Sequence, residues 1–243
     1  MSKIKIGIAG VCGKMGRRIL NLALADSQLE VKLGVEKPGH PEIGSILNGV
    51  RVTDSLPALA EIDVLVDFTS PLAALEHLDW AVENKASIVI GTTGFSQEQL
   101  NSISKAAEAI AVVLSPNMSI GVNLLFKIVK ECAQILKGYN ARVFEAHHIH
   151  KKDAPSGTAK KIVKILQEQG FSLSNENVGV VREDEIVGDH KVVFDSPQDK
   201  IEIFHSAKNR DIFAQGAIAA AKWVKGRKPG LYSMDEVLFG GGV

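Results

Sequence analysis

Cysteine is scarce: Cys12 and Cys132 are the only two in 243 residues. Two thiols cannot build a disulfide framework, which points to a reducing, cytoplasmic setting. An excess of either charge is also missing, since 28 basic residues meet 28 acidic ones. A duplex nucleic-acid binder or a membrane-surface protein would carry a basic surplus, so neither partner is expected. No apolar run approaches the roughly 18 residues that a membrane span needs. The opening Met1–Gly7 holds one short apolar stretch, without the long core of a secretory leader. What is present is globular in kind, with 45% hydrophobic and 23% charged residues, in a length that suits one large domain or two modest ones.

The first half alternates short Val/Ile/Leu runs with helix-period segments. Strands are predicted at residues 4–9, 29–35, 64–68, 88–90 and 111–114, and helices at 15–24, 73–83 and 97–109. Near-continuous apolar strands separated by helices indicate βαβ units and a Rossmann-like parallel sheet buried on both faces. After Ser115-Pro116-Asn117 the pattern changes. A long helix at 120–136 precedes a strand at 143–147, a helix at 158–169 and a hairpin formed by 191–194 and 200–204. The fold class is therefore α/β. A dinucleotide-binding domain at 1–118 is expected, with 210–243 packing back on it. Residues 119–209 are expected to form a smaller α+β domain with a mixed or antiparallel sheet.

The first strand runs into Gly10-Val11-Cys12-Gly13-Lys14-Met15-Gly16 and then a helix. Glycines there let the chain turn sharply and let a pyrophosphate approach the backbone, while the helix start offers N–H groups and positive dipole. The spacing departs from G-x-G-x-x-G, with Cys12 where the second glycine would stand. Cys12 reads as a small turn residue rather than a nucleophile, because no histidine is near it in sequence. Glu36 follows Gly16 by twenty residues, where an acid commonly binds the adenosine ribose, and Lys37 beside it could pair with a 2′-phosphate. Asp67-Phe68-Thr69-Ser70-Pro71 and Gly91-Thr92-Thr93-Gly94 both follow apolar strands and belong to the same crevice, because ligands of open parallel sheets gather at strand carboxyl ends.

The densest polar segment is Glu145-Ala146-His147-His148-Ile149-His150-Lys151-Lys152-Asp153-Ala154-Pro155-Ser156-Gly157-Thr158, which holds three of the seven histidines. Imidazoles suit general acid work near neutral pH. A helix starting near Gly157 and Thr158, beside Lys151, makes a carboxylate site from N–H donors, dipole and cation together. Metal binding is a rival, since His148 and His150 have H-x-H spacing and would share a strand face. It lacks visible further ligands. His205 to Arg210 is another polar cluster, with a capped loop as its plain reading.

The segment Glu145 to Ala159 resembles the signature of the dihydrodipicolinate reductases, also called 4-hydroxy-tetrahydrodipicolinate reductases, of the diaminopimelate route to lysine. The opening turn with Lys14-Met15-Gly16, the Asp67-Phe68-Thr69 and Gly91-Thr92-Thr93-Gly94-Phe95 strand ends, Asn117-Met118-Ser119-x-Gly121-Val122-Asn123 and Phe213-Ala214-x-Gly216-Ala217 are similar to family motifs in the same order. The resemblance implies hydride transfer from NADH or NADPH to a cyclic imine dicarboxylate, without a metal. It gives His147 the general-acid position and makes Lys151 a second proton donor or anchoring cation. His148, Gly157 and Thr158 match substrate contacts. Gly10, Val11, Cys12, Gly13, Lys14, Met15, Glu36, Gly91, Thr92, Thr93, Ser115, Pro116, Asn117 and Met118 match cofactor contacts. A homotetramer is implied, with the 119–209 domain serving substrate binding and oligomerisation. Where some members carry arginine beside the ribose acid, this chain has Lys37, a cation without the bidentate fork, and dual use of both cofactors is expected. The rivals are another nicotinamide-dependent reductase of a small carboxylate and an NADH-sensing regulator without chemistry.

Overall fold

The computed structural model describes residues 2–57 and 61–240. Its strands are β1 Ile4–Ala9, β2 Leu29–Val35, β3 Ile46–Leu47, β4 Val50–Thr53, β5 Val64–Asp67, β6 Ser87–Ile90, β7 Ala111–Leu114, β8 Asn140–His147, β9 Gly179–Arg182, β10 Asp189–Asp195, β11 Lys200–Ser206 and β12 Gly230–Tyr232. Its helices are α1 Lys14–Ala25, α2 Pro71–Glu83, α3 Gln97–Ala106, α4 Ile120–Ile135, α5 Gly157–Glu168, α6 Asp211–Val224 and α7 Met234–Phe239. The chain divides into two compact units, residues 1–120 with 213–243, and residues 121–212.

In the first unit the sheet order is β12-β7-β6-β5-β1-β2-β4-β3, parallel apart from the short β3–β4 hairpin. Apolar side chains leave these strands on both faces, so helices must cover both. One core joins Ile6, Ile8, Val64 and Val66 to Ile19 and Leu20 of α1 and to Ala217, Ala221 and Val224 of α6. The other joins Leu65, Ile88, Ile90 and Val112 to Leu78 of α2 and Ile103 of α3. The carboxyl ends of β1, β5, β6 and β7 consequently lie side by side.

The second unit is built on a four-stranded mixed sheet ordered β11-β10-β8-β9, with β8 and β9 parallel and the other pairs antiparallel. Its covered face packs Val143, Val192 and Phe194 against Phe126 and Val129 of α4 and Ile162 and Leu166 of α5. Side chains alternate along a strand, so Val143, Glu145 and His147 share that face.

Every element expected from the sequence is present, with ends within three residues of the structure. Unanticipated were the β3–β4 hairpin, β9, β12 and α7. These are short, and β9 and β12 owe their strand form to a neighbour, β8 and β7 respectively. Among the described residues no helix is long and apolar enough to cross a membrane.

Candidate active site

The turn after β1 is shaped by two glycines that nothing larger could replace. Gly10 has φ +77°, and a Cβ there would lie 2.6 Å from the Phe68 carbonyl oxygen. A Cβ on Gly16 would fall 2.0 Å from the Gly10 carbonyl oxygen, so glycine permits α1 to start tight against the strand. Gly13 is the N-cap of α1 and supplies no side-chain bond to it. The helix therefore opens without an internal cap, beside the exposed Gly13 and Lys14, an arrangement that suits an anion. Glu36, just past β2, accepts from the Cys12 amide at 3.2 Å and from the Lys37 amide at 3.0 Å, while Lys37 is exposed. This acid thus stands within one hydrogen bond of the glycine turn. These residues fit a dinucleotide: a cradle that a Cβ would fill, an uncapped helix start and a carboxylate alongside.

The fold puts His40 next to Cys12 and Glu36, their ligating atoms all within 4.8 Å, a neighbourhood that spacing concealed. Burial and a hydrogen bond to Glu42 push the Cys12 thiol up to about 12, so the thiolate needed of a nucleophile is disfavoured. Glu42 also pairs with Arg17 at 2.6 Å. Cys12 stays a turn residue. At the neighbouring strand ends, a Cβ on Gly91 would lie 2.2 Å from Phe68 Cζ, and Thr92 is buried. Ser115 holds its loop by donating to the Asn117 carbonyl at 2.9 Å, with Met118 buried below and Pro116 exposed. Gly216 of α6 packs on the same loop, where a Cβ would fall 1.6 Å from the Met118 carbonyl oxygen.

In the second unit, the covered face of the sheet turns polar at its end. Strand register sets Glu145 opposite His190, His190 opposite His205 and His147 opposite Arg182. The Glu145 carboxylate is fully enclosed. It accepts the Ser156 amide at 3.0 and 3.1 Å and the Arg182 guanidinium at 2.9 Å. It lies 3.4 Å from His147 Nδ1 and 3.9 Å from His190 Nε2. Burial alone would raise the pKa of this carboxyl. The bonds from Ser156 and Arg182 outweigh it and hold its pKa below the ordinary value. For His147 burial dominates and lowers the pKa, Glu145 works against it, and Lys151 and Arg182 reinforce it. His190 is driven to about 4, by burial first and by His147 second.

Arg182 also donates to the Asp153 carbonyl at 2.6 Å and the Lys151 carbonyl at 3.3 Å, tying the loop between β8 and α5 to β9. Ser156 caps α5 by accepting from the Ala159 amide at 3.2 Å. The next residue, Gly157, is exposed, and a Cβ there would meet nothing within 4 Å, which leaves the helix start open to a ligand. Lys151 pairs with Asp153 at 2.7 Å. His147, Lys151, Gly157 and Thr158 are thus gathered on one loop and helix start.

One expectation is overturned. His148 and His150 do not share a strand face, because β8 stops at His147. The chain then turns, with the Lys151 amide donating to the His148 carbonyl at 3.1 Å, and the two rings stand 6.1 Å apart. His148 is half-buried and His150 exposed. In this unit, among the described residues, the group whose ligating atoms lie within 4.8 Å of one another is instead Glu145, His147 and His190. His190 and Arg182 were missed by sequence reasoning. Alternation through Val192 would have placed His190 on the covered face, whereas nothing in Val180-Val181-Arg182 advertised a half-buried guanidinium reaching Glu145.

The family model described as dihydrodipicolinate reductase, N-terminus, matches residues 4–118, and that described as dihydrodipicolinate reductase, C-terminus, matches residues 121–238. The chain belongs to the dihydrodipicolinate reductase family. The 4-hydroxy-tetrahydrodipicolinate reductase of Aquifex aeolicus is 41% identical over an alignment of 261 residues, covering 97% of this chain and 98% of the relative. That of Methanoregula boonei is 38% identical, covering 96% and 97%. The dipicolinate-bound dihydrodipicolinate reductase from Paenisporosarcina sp. TG-14 has a similar structure, with a TM-score of 0.81 at 25% identity over 96% of this chain and 98% of that one. Membership in the dihydrodipicolinate reductase family makes the protein a nicotinamide-dependent oxidoreductase of diaminopimelate and lysine biosynthesis.

Proposed function

We propose that the protein reduces 4-hydroxy-tetrahydrodipicolinate, or its dehydrated form, to tetrahydrodipicolinate with either NADH or NADPH. The observation that carries the reading is the enclosed Glu145–His147–Arg182 cluster beside Lys151 and the open start of α5, in a chain that the family matches nearly end to end. Residues 10–15, Glu36, Lys37, Gly91 to Thr93 and Ser115 to Met118 are assigned to the dinucleotide. His148, Gly157 and Thr158 are assigned to the substrate.

When bound, the dihydronicotinamide supplies a hydride. Adding it to a conjugated imine builds negative charge on the ring, and His147 delivers the proton that quenches it. Glu145 faces Nδ1, so Nε2 is the atom left to donate. Gly188 lies alongside, where a Cβ would be 3.0 Å from Nε2, so glycine leaves room there. Hydride and proton together saturate one double bond, and His147 regains its proton from solvent. Lys151 and the α5 amides hold a substrate carboxylate, which must displace Asp153 from the ammonium. Glu36 accepts hydrogen bonds from a ribose, and Lys37 tolerates a 2′-phosphate. Hydride and proton transfer, as written, call on no metal.

A homotetramer suits the second unit. Phe204 and Phe144 flank Lys191 across the uncovered face of its sheet, with Phe204 61% and Phe144 40% exposed, and such exposed aromatic rings favour contact with copies. A small dicarboxylate is the partner expected, in the cytoplasm, with neither nucleic acid nor membrane. The test follows NADH absorbance with freshly generated product of the preceding synthase. Substrate-dependent oxidation that pyridine-2,6-dicarboxylate inhibits is expected. Binding of NADH without oxidation would restore the sensor reading.

A further inference from the structure

Asp67 ends β5, is fully buried, and plays no part in the roles assigned above. Its Oδ1 accepts from Thr92 Oγ1 at 2.6 Å, Thr69 Oγ1 at 3.0 Å and the Thr69 amide at 3.3 Å. Its Oδ2 accepts from Thr69 Oγ1 at 3.0 Å and faces His77 Nδ1 of α2 at 2.6 Å. The Thr92 hydroxyl also accepts the Thr69 amide at 2.8 Å, which leaves its single proton for Asp67. The two hydroxyls and the amide all donate to this carboxyl, and His77 Nδ1 joins them in the tautomer that carries its hydrogen there.

A carboxylate buried in this way is costly unless its partners are fixed and charge-assisted. Here they come from the β5–α2 turn, the β6–α3 turn and the second turn of α2. One residue away, Phe68 presses its ring on Gly91 and its carbonyl on Gly10, so the same carboxylate governs three strand ends at once. Apolar packing would fill the space, but it would not fix the rotation of two hydroxyls and an amide.

We propose that Asp67 and His77 are positioning residues of the cofactor site: the buried pair locks Thr69, Thr92 and the Phe68–Gly91 contact into the shape that receives the ribose and nicotinamide. The proposal rests on the reading that a dinucleotide lies along these strand ends. Neither residue is among those assigned to the substrate, so their influence falls on how tightly and in what orientation the cofactor is held.

The test compares His77→Leu, which removes the donor, with His77→Asn, which keeps an N–H near the Nδ1 position. Thr92→Val, which removes only the bridging hydroxyl, is the third variant. NADH dissociation constants are measured by fluorescence titration, pyridine-2,6-dicarboxylate binding by calorimetry without cofactor, and melting temperature alongside. His77→Leu and Thr92→Val are expected to weaken NADH binding at least about tenfold, as for a lost bond to a charged group. His77→Asn is expected to stay within about threefold of wild type, and dicarboxylate binding is unchanged in all three. Should His77→Leu fail to fold, His77→Gln, whose amide reaches the Nε2 position instead of Nδ1, decides by the same criterion. NADH affinity unchanged in the variants, equal loss in His77→Asn and His77→Leu, or parallel loss of both ligands overturns the proposal alone. Wild-type protein that binds no NADH overturns the cofactor reading and this proposal together.

Discussion

Acid should loosen the second unit through one imidazole. In an unfolded chain His190 titrates near ~6.5, whereas in the fold burial, and then His147, push it down to about 4. The folded state thus favours neutral His190. Its stabilising share is complete above about pH 6.5 and is lost as the pH falls from there to about 4. The gap of about 2.5 units, at roughly 1.4 kcal/mol each, makes the loss about 3 kcal/mol. His147 and His205 are lowered for the same first reason, burial, and contribute in the same direction. His190→Gln isolates the single group, because glutamine keeps a polar atom near Ser156 Oγ, now 3.3 Å from Nε2, and does not titrate. Urea unfolding by circular dichroism is run from pH 7.5 to 4 on both proteins. Wild type should lose about 3 kcal/mol more than the variant over that interval. Proton NMR of the ring should show an inflection near 4. Parallel stability curves, or an inflection near the ordinary value, would falsify the account of a buried neutral imidazole.

Replacing Glu145 by Gln removes the stronger of the two carboxylates, Glu145 and Asp153, that favour protonated His147, so the general acid lets go of its proton more readily. The alkaline fall of kcat/KM should then move to lower pH, and a profile that stays put contradicts the pairing. Lys151→Ala and His147→Gln should each cut turnover by about 10²-fold or more with NADH affinity unchanged, and equal loss of cofactor binding refutes the division of roles. Gly16→Ala drives a methyl into the Gly10 carbonyl, so NADH titration should detect no binding; normal affinity would show that the turn yields. Catalytic efficiencies with NADH and NADPH should differ by less than about a hundredfold, or ~2.7 kcal/mol, and a larger ratio in either direction overturns dual use.

Local pattern already determined a large part of this protein. Val/Ile/Leu runs between helix-period segments lead to one outcome, a parallel sheet buried on both faces, because no other arrangement buries such strands. Gly10 and Gly16 were legible because sharp turns and close packing exclude a Cβ at any such junction. The signature from Glu145 to Ala159 was legible because its polar residues are contiguous along the chain. What the chain order hid was decided by pairing across strands. Register alone places His190 beside Glu145 and Arg182 beside His147, from segments more than thirty residues away. Three-dimensional proximity also brought His40 to Cys12 and donors from three segments to Asp67. The H-x-H expectation failed for the converse reason: it assumed that β8 continued, and the turn stabilised from β9 and the loop after it ends the strand at His147. Periodicity reports which face a side chain takes, whereas the environment that sets its charge is assembled only when distant elements meet.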